Sequence, residues 1–220
     1  MTLGEYLGAG SGITKLLWHL NGNSNDSSGN GNNGTDISID YGLAYGLFGQ
    51  GALINNVNDE IRKATNLGIA GQDALTVSLW AKLTSEIGSG SGYFFLYTTT
   101  LTIDRFVQLT YEYNGGSRRL NLNVSGVGGY YSIALGTAAW YNFIVTRASG
   151  PSPACVLYMN GNAVISLTGG NATNGTNFFA MGVTGASLPS FSDEIIIENV
   201  AWDAAKIRKY YTWAKGRFVL

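Results

Sequence analysis

Cys155 is the only cysteine among 220 residues, so no intrachain disulfide framework and no cysteine-rich zinc site is available to this chain. His19 is the only histidine, which leaves no histidine partner set for a zinc ion. Charged residues make up 12% and the net charge is −1, so there is no basic excess to neutralise phosphates. A nucleic-acid partner is therefore not expected. No stretch approaches the roughly 18 consecutive apolar residues that crossing a bilayer takes, and membrane insertion is not expected either. The first ten residues lack the basic and continuous apolar regions of a secretory signal. There is no Walker loop and no dinucleotide fingerprint, because the glycine clusters fall between strand-like runs and not at helix starts.

What is present is glycine, 31 residues of it, with 45% hydrophobic residues and only three prolines. The surface must then be covered by Asn, Ser, Thr and Gly. Residues 1–14 read as an N-terminal arm or edge strand. A short apolar strand follows at 16–20, then a loop over 21–34 built almost wholly of Asn, Gly, Ser and Asp. Residues 74–83 alternate cleanly, with Leu75, Val77, Leu79 and Ala81 on one face and Thr76, Ser78, Trp80 and Lys82 on the other. Trp80 on that second face implies that it too is covered. Strands are predicted at 105–113 and 120–124 around Asn114-Gly115-Gly116, at 140–146, and at 154–159 and 163–167 around Asn160-Gly161. A last strand over 193–200 puts Ile195 and Ile197 on one face and Ile196 on the other. Cys155, inside an apolar run, is expected to be a small buried side chain. One helix is predicted, capped by Asp203, with Ile207, Tyr211 and Ala214 along one face and Gly216 at its end. Trp80, Trp140 and Ile195 are expected in buried or interface positions. The pattern is that of a single all-β domain, a two-sheet antiparallel sandwich with one short C-terminal helix.

Four segments in order resemble the laminin-G-like and concanavalin A-like jelly-roll domains of bacteria and phages. They are Trp18-His19-Leu20-Asn21-Gly22-Asn23 running into Asp26-Ser27-Ser28-Gly29-Asn30-Gly31; residues 75–82; residues 140–147 followed by Leu157-Tyr158-Met159-Asn160-Gly161; and residues 191–197 followed by 203–207. The resemblance covers residues 15–220 and implies a jelly roll, a fold shared by lectins, adhesion domains and some glycosidases. It also implies a structural calcium between the Asn/Asp loop and the acidic pair before the last strand, with Asp26 and Asp193 as ligands and Asn23 beside them. The residues themselves leave a second reading open, in which Asn and Asp side chains satisfy the loop backbone as Asx turns without a metal.

Catalysis is not expected. Glycoside hydrolysis needs two carboxyls facing one substrate, and Asp193-Glu194, as neighbours on a strand, should point to opposite faces. The glucanase pattern of carboxylates at alternate strand positions is absent. His19 should pack or hydrogen-bond near the first strand. Tyr130 and Tyr131 are the candidate ligand-binding residues for a sugar, since one of two adjacent strand aromatics must face outward; Phe178-Phe179, Tyr93 and Tyr97 are further aromatics of this kind. Their other reading is as sandwich core or oligomer interface.

The expected function is a non-catalytic structural or binding protein on a virion surface, decorating a capsid or forming part of a tail, with possible adhesion to cell-surface glycans. A fold usually displayed outside cells, on a chain that starts with its own Met, lacks an export signal and ends soon after the helix, suggests delivery by particle assembly or lysis. The apolar arm Thr2-Leu3-Gly4-Glu5-Tyr6-Leu7 would dock on capsid or tail proteins or on a neighbouring copy, in a homo-oligomer such as a trimer. The alternative is an extracellular or cell-surface carbohydrate-binding module.

Overall fold

A computed structural model describes residues 13–65, 67–70, 73–98, 105–170, 178–183 and 187–217, with the side chains of 98, 105, 106 and 178 left aside. Residues 2–7, to which docking was assigned, lie outside it. In chain order the strands are β1 (Thr14–Trp18), β2 (Thr35–Ile37), β3 (Asp40–Gly42), β4 (Gly51–Ile54), β5 (Glu60–Lys63), β6 (Leu75–Leu83), β7 (Gly90–Thr98) and β8 (Arg105–Asn114). They continue as β9 (Ser117–Val124), β10 (Val127–Ser132), β11 (Tyr141–Arg147), β12 (Ala154–Met159), β13 (Asn162–Thr168), β14 (Phe178–Met181) and β15 (Ser190–Glu198), and α1 (Ala204–Lys215) follows.

The strands form two antiparallel sheets. The eight-stranded sheet runs β13-β12-β11-β6-β15-β4-β3 with β1 also on β15, and the seven-stranded sheet runs β10-β9-β8-β7-β14-β5-β2. Between them lies one core. Leu75, Val77, Leu79 and Ala81 of β6, Phe143 and Val145 of β11, and Ile195 and Ile197 of β15 meet Val107, Leu109 and Tyr111 of β8 and Leu120, Leu122 and Val124 of β9. The Cys155 thiol is buried in this core, and burial pushes its pKa up to about 11.

The eight-stranded sheet is covered on its outer face as well. There α1 packs Ile207 and Tyr210 against Leu17, Ile144, Ile196 and Trp202. This explains why β6 carries Trp80 on its second face: Trp80 is buried there, stacks on Tyr211 at 5.9 Å, and donates from Nε1 to the Tyr210 hydroxyl at 3.3 Å. The helix starts as its sequence dictates, with the Asp203 carboxylate accepting from the Lys206 amide at 2.7 Å. Its far end closes at Gly216 in right-handed backbone, so this glycine is not a left-handed cap.

The hairpin turns follow their residues. Asn160-Gly161 between β12 and β13 and Gly115-Gly116 between β8 and β9 both have positive φ at the two central positions, the turn whose twist matches the flanking strands. One expectation is corrected: Trp140 precedes β11 and is only partly buried, since the strand begins at Tyr141.

Candidate functional site

The far side of β15 is shared end to end by two short strands. β4 pairs with Ser190 to Ser192, and β1 pairs with Ile195 to Glu198. Asp193 and Glu194 fall in the gap between them. On its other side β15 pairs with β6, and there the register slips between Asp193, opposite Trp80, and Ile196, opposite Ser78. That slip is a one-residue bulge. Glu194 takes φ +50°, left-handed backbone that costs a residue with a side chain about 1–2 kcal/mol. The bulge overturns the expectation that Asp193 and Glu194 face opposite ways. Asp193 pairs with outward-facing Trp80, and Glu194 lines a pocket with Phe48, Tyr210 and Trp213 on the same outer face. Strand alternation holds only where the ladder is unbroken.

Each carboxylate has its own surroundings. The Asp193 side chain is fully buried and its Oδ2 accepts from the amides of Leu47 at 2.7 Å and Phe48 at 2.8 Å. Glycines let that loop close tightly enough to aim both amides: a Cβ on Gly46 would stand 2.3 Å from Gly49 O, and one on Gly51 would stand 2.3 Å from Tyr45 O. Oδ1 of Asp193 is buried with no partner among the described residues. Burial raises the Asp193 pKa from 3.8 to about 7, against the lowering effect of the backbone amides of Phe48, Leu47 and Glu194, and the neighbouring Glu194 charge raises it further. Glu194 meets His19 Nδ1 with both oxygens at 3.0 Å. That hydrogen bond raises the imidazole above its ordinary 6.5, opposed by burial and aided by the charges of Glu194 and Asp193. His19 thus has the hydrogen-bonding role expected of it, just past β1.

The Asn/Asp loop is an Asx-turn hub. Asp26 Oδ1 accepts from the amides of Leu17 and Ser28, each at 2.9 Å, and Oδ2 accepts from Ser28 Oγ and the Asn32 amide, each at 2.8 Å. A carboxylate has about four lone-pair sites, and all four here face local donors. Asn23 Oδ1 accepts from the Asn25 amide at 2.9 Å, and Asn21 Oδ1 accepts from the Gln50 amide at 2.8 Å. A calcium cage takes 6–8 oxygens with lone pairs to spare, by the general rule for hard cations. The donor set of Asp26, Asn23 and Asp193 does not fit one, and no cluster of three or more His, Cys, Asp or Glu side chains suited to a metal exists among the described residues.

The outer face of the seven-stranded sheet carries the tyrosines. Tyr130 lies opposite Asn121, Asn121 opposite Thr110, and Thr110 opposite Tyr93, so these four form one row across β10, β9, β8 and β7. The next row out holds Ser132, Arg119, Glu112 and Ser91. Tyr130 is 56% exposed, and the Arg119 guanidinium sits 4.0 Å from its ring centroid. Arg119 Nε is fixed in turn by Glu112 Oε1 at 2.5 Å. Asn121 Oδ1 has no partner among the described residues. Tyr131 points the other way and packs against the core, so of the two adjacent tyrosines only Tyr130 belongs to this face. Tyr97 and Phe179 are buried in the core, which removes both as ligand contacts.

No family model and no curated protein matches the chain. Solved structures match it at low identity. Domain 4 of AbnA, an extracellular GH43 arabinanase from Geobacillus stearothermophilus solved with arabinotriose, is 21% identical over 90% of this chain and 97% of that one, with a TM-score of 0.66. A structure reporting on the cell entry of botulinum neurotoxin type C is 11% identical over 92% of this chain and 50% of that one, with a TM-score of 0.66, so this chain spans half its length. A heptameric SAP-like pentraxin from Limulus polyphemus is 17% identical over 69% of this chain and 75% of that one, at a TM-score of 0.52. These likenesses show a two-sheet jelly-roll sandwich, the fold that the sequence motifs resembled.

Proposed function

We propose that this chain is a non-catalytic glycan-binding module whose binding face is the outer surface of β9 and β10. The observation that carries the proposal is the mounting of Tyr130. A flat aromatic ring, more than half exposed, is held still by Arg119, which is itself anchored on Glu112. A sugar ring has an apolar face of C–H groups and a rim of hydroxyls. Tyr130 offers the first a platform, and Asn123 and Ser132 on the same face offer the second amide and hydroxyl partners. A fixed platform also loses little side-chain entropy on binding. The structural neighbours agree in kind: one domain was solved with arabinotriose, and the toxin's cell entry depends on two ganglioside molecules.

The test is titration calorimetry against a panel of soluble polysaccharides, arabinan among them. Tyr130→Ala is expected to weaken binding at least about tenfold and Arg119→Ala to weaken it less, with unchanged melting temperatures. A glycan bound equally by Tyr130→Ala and the wild type would refute the assignment of this face.

Display on a virion, through capsid or tail proteins and as a homo-oligomer, is the setting proposed for this module, with an extracellular role as the alternative. Light scattering and pull-down against purified particles separate the two. A monomer that ignores capsids and tails yet binds a free polysaccharide would favour the extracellular module.

A further inference from the structure

Three connections cross between the two sheets at one end of the sandwich: β4 to β5, β6 to β7 and β14 to β15. A cleft of about 290 Å³ lies where they meet. Its lining includes Val57 from the first connection, Glu86, Ile87 and Gly88 from the second, Leu188 from the third, and Ser91 at the start of β7. That volume sits at the lower end of the roughly 300–1,000 Å³ typical of small-molecule sites.

The walls are fixed before anything binds. Asp59 Oδ2 accepts from the amides of Asn55 and Asn56, each at 2.9 Å, which sets the turn that carries Val57. Ser187 Oγ donates to the Asp59 carbonyl at 2.8 Å and accepts from the Val183 amide at 3.0 Å, tying the third connection to the first. Arg118 reaches over from β9, donating from Nε to Ile87 O at 3.1 Å and from Nη2 to Glu86 Oε2 at 2.8 Å. Walls held in this way lose little conformational freedom when a ligand arrives.

We propose that this cleft is a second subsite of the glycan-binding face, and that the ligand is a neutral glycan chain lying across the strands from the Tyr130 ring to the cleft. The inference rests on the reading of Tyr130 given above. The outward row Ser132, Arg119, Glu112 and Ser91 starts beside Tyr130 on β10 and ends at Ser91 in the cleft wall. Three strand spacings of about 4.8 Å make that span about 14 Å, so a chain of sugars and not a single ring occupies both ends. The cleft has both halves of sugar chemistry. Val57, 59% exposed and backed by Leu188, offers apolar surface to C–H groups. Ser91 offers a hydroxyl, and Glu86 offers Oε1, which takes no hydrogen bond among the described residues. Charge decides the class of chain. Arg118 is paired with Glu86 and Arg119 with Glu112, so neither guanidinium is spare for a sugar acid. No Lys, Arg or His lines the cleft among the described residues. A uronate or sulfated chain would meet carboxylates along this path, where a neutral chain meets hydrogen-bond acceptors.

The experiment is titration calorimetry with ladders of neutral gluco-, xylo-, manno- and galacto-oligosaccharides, from disaccharide to octasaccharide, with oligogalacturonates of the same lengths as acidic controls. Affinity for a neutral ladder is expected to rise with chain length until the span is covered and then to level off. Gly88→Tyr fills the cleft without straining the fold, because a Cβ on Gly88 would meet nothing within 4 Å and its φ lies outside the left-handed region. At an unchanged melting temperature this variant should weaken the long chains about tenfold and leave the short ones as they were, since one ligand joining two subsites makes the second contact intramolecular. Glu86→Gln, which keeps the shape of the cleft, should weaken the long chains less, and Tyr130→Ala should weaken every length. Affinity that does not rise with length, a longest chain bound equally by Gly88→Tyr and wild type, or oligogalacturonates bound as tightly as neutral chains would overturn the proposal and leave the Tyr130 face standing. Ladders bound equally by Tyr130→Ala and wild type, or no ladder bound at all, would overturn both.

Discussion

Replacing Asp193 with Asn should make the protein more stable at neutral and alkaline pH, and it should flatten the dependence of stability on pH. The carboxyl is fully buried, with two amides on Oδ2 and no partner for Oδ1, and its pKa is raised from 3.8 to about 7. A carboxyl with a raised pKa favours folding while it is protonated. Its contribution is therefore complete below the unfolded value of 3.8 and is lost as pH rises through about 7. At about 1.4 kcal/mol per pKa unit, that loss amounts to about 4 kcal/mol. For a domain of this size it corresponds to a fall of about 10 °C in melting temperature. His19, also raised, acts with the same sign: its paired, protonated form supports folding below 6.5 and the support fades as pH rises past its folded value. Asn keeps an oxygen for the amides of Leu47 and Phe48 and never ionises. Thermal unfolding followed by circular dichroism from about pH 4.5 to 8.5 stays above the window where other carboxylates protonate. Wild type should lose stability across it, and Asp193→Asn should keep only the smaller fall due to His19. A wild type with no such fall, or an Asp193→Asn variant that falls equally, would refute the reasoning.

Asp26→Ala should destabilise by about 2–4 kcal/mol, because four donors lose a charged acceptor at once, and EDTA should change neither variant's melting temperature. A chelator-sensitive wild type would show that a cation holds the loop. Trp80→Ala should cost about 3–5 kcal/mol by emptying the space between β6 and α1; wild-type stability in chemical denaturation would mean that the helix does not seal this face. No reducing sugar should be released from laminarin, alginate or agar, because Glu194 is held by His19 and Asp193 by amides. Release that disappears in Glu194→Gln would make the acidic pair catalytic.

Much of the fold was legible because its signals are local. Asn160-Gly161 demands positive φ at two positions whatever surrounds it, Asp203 caps the next turn of its own helix, and residues 74–83 alternate because β6 is unbroken. The strands between residues 35 and 63 gave no such signal. They are three or four residues long, too short to show a period, and they exist because neighbouring strands supply their hydrogen bonds. Alternation required one of Tyr130 and Tyr131 to face outward without saying which, and the structure turns Tyr130 out and Tyr131 in. What alternation could not give was the partner of Tyr130, since Arg119 and Glu112 reach the ring only through the register of three strands.

The acidic pair was misread for a reason that ties the site to the topology. Nothing in Phe191-Ser192-Asp193-Glu194-Ile195 announces a bulge. The bulge follows from two strands, β4 and β1, dividing one edge of β15 between them. Where neither strand pairs, the ladder has room for an extra residue, and the residue that takes it is turned outward with its predecessor. The same gap admits the loop that caps Asp193 and leaves the end of β1 free to bring His19 to Glu194. Helix α1 then covers the outer face beside the gap with Tyr210 and Trp213. A single unpaired step in one strand thus accounts for the buried carboxyl, the strained glutamate and the aromatic pocket together. If it does, Glu194→Gly should relieve the left-handed backbone while leaving intact the burial of Asp193, the main cause of its raised pKa, and removing only the smaller contribution of the Glu194 charge. The pH dependence assigned to Asp193 should therefore survive in Glu194→Gly, while the part due to His19 should vanish, and loss of both would mean that the glutamate side chain and not the strand gap shapes this site.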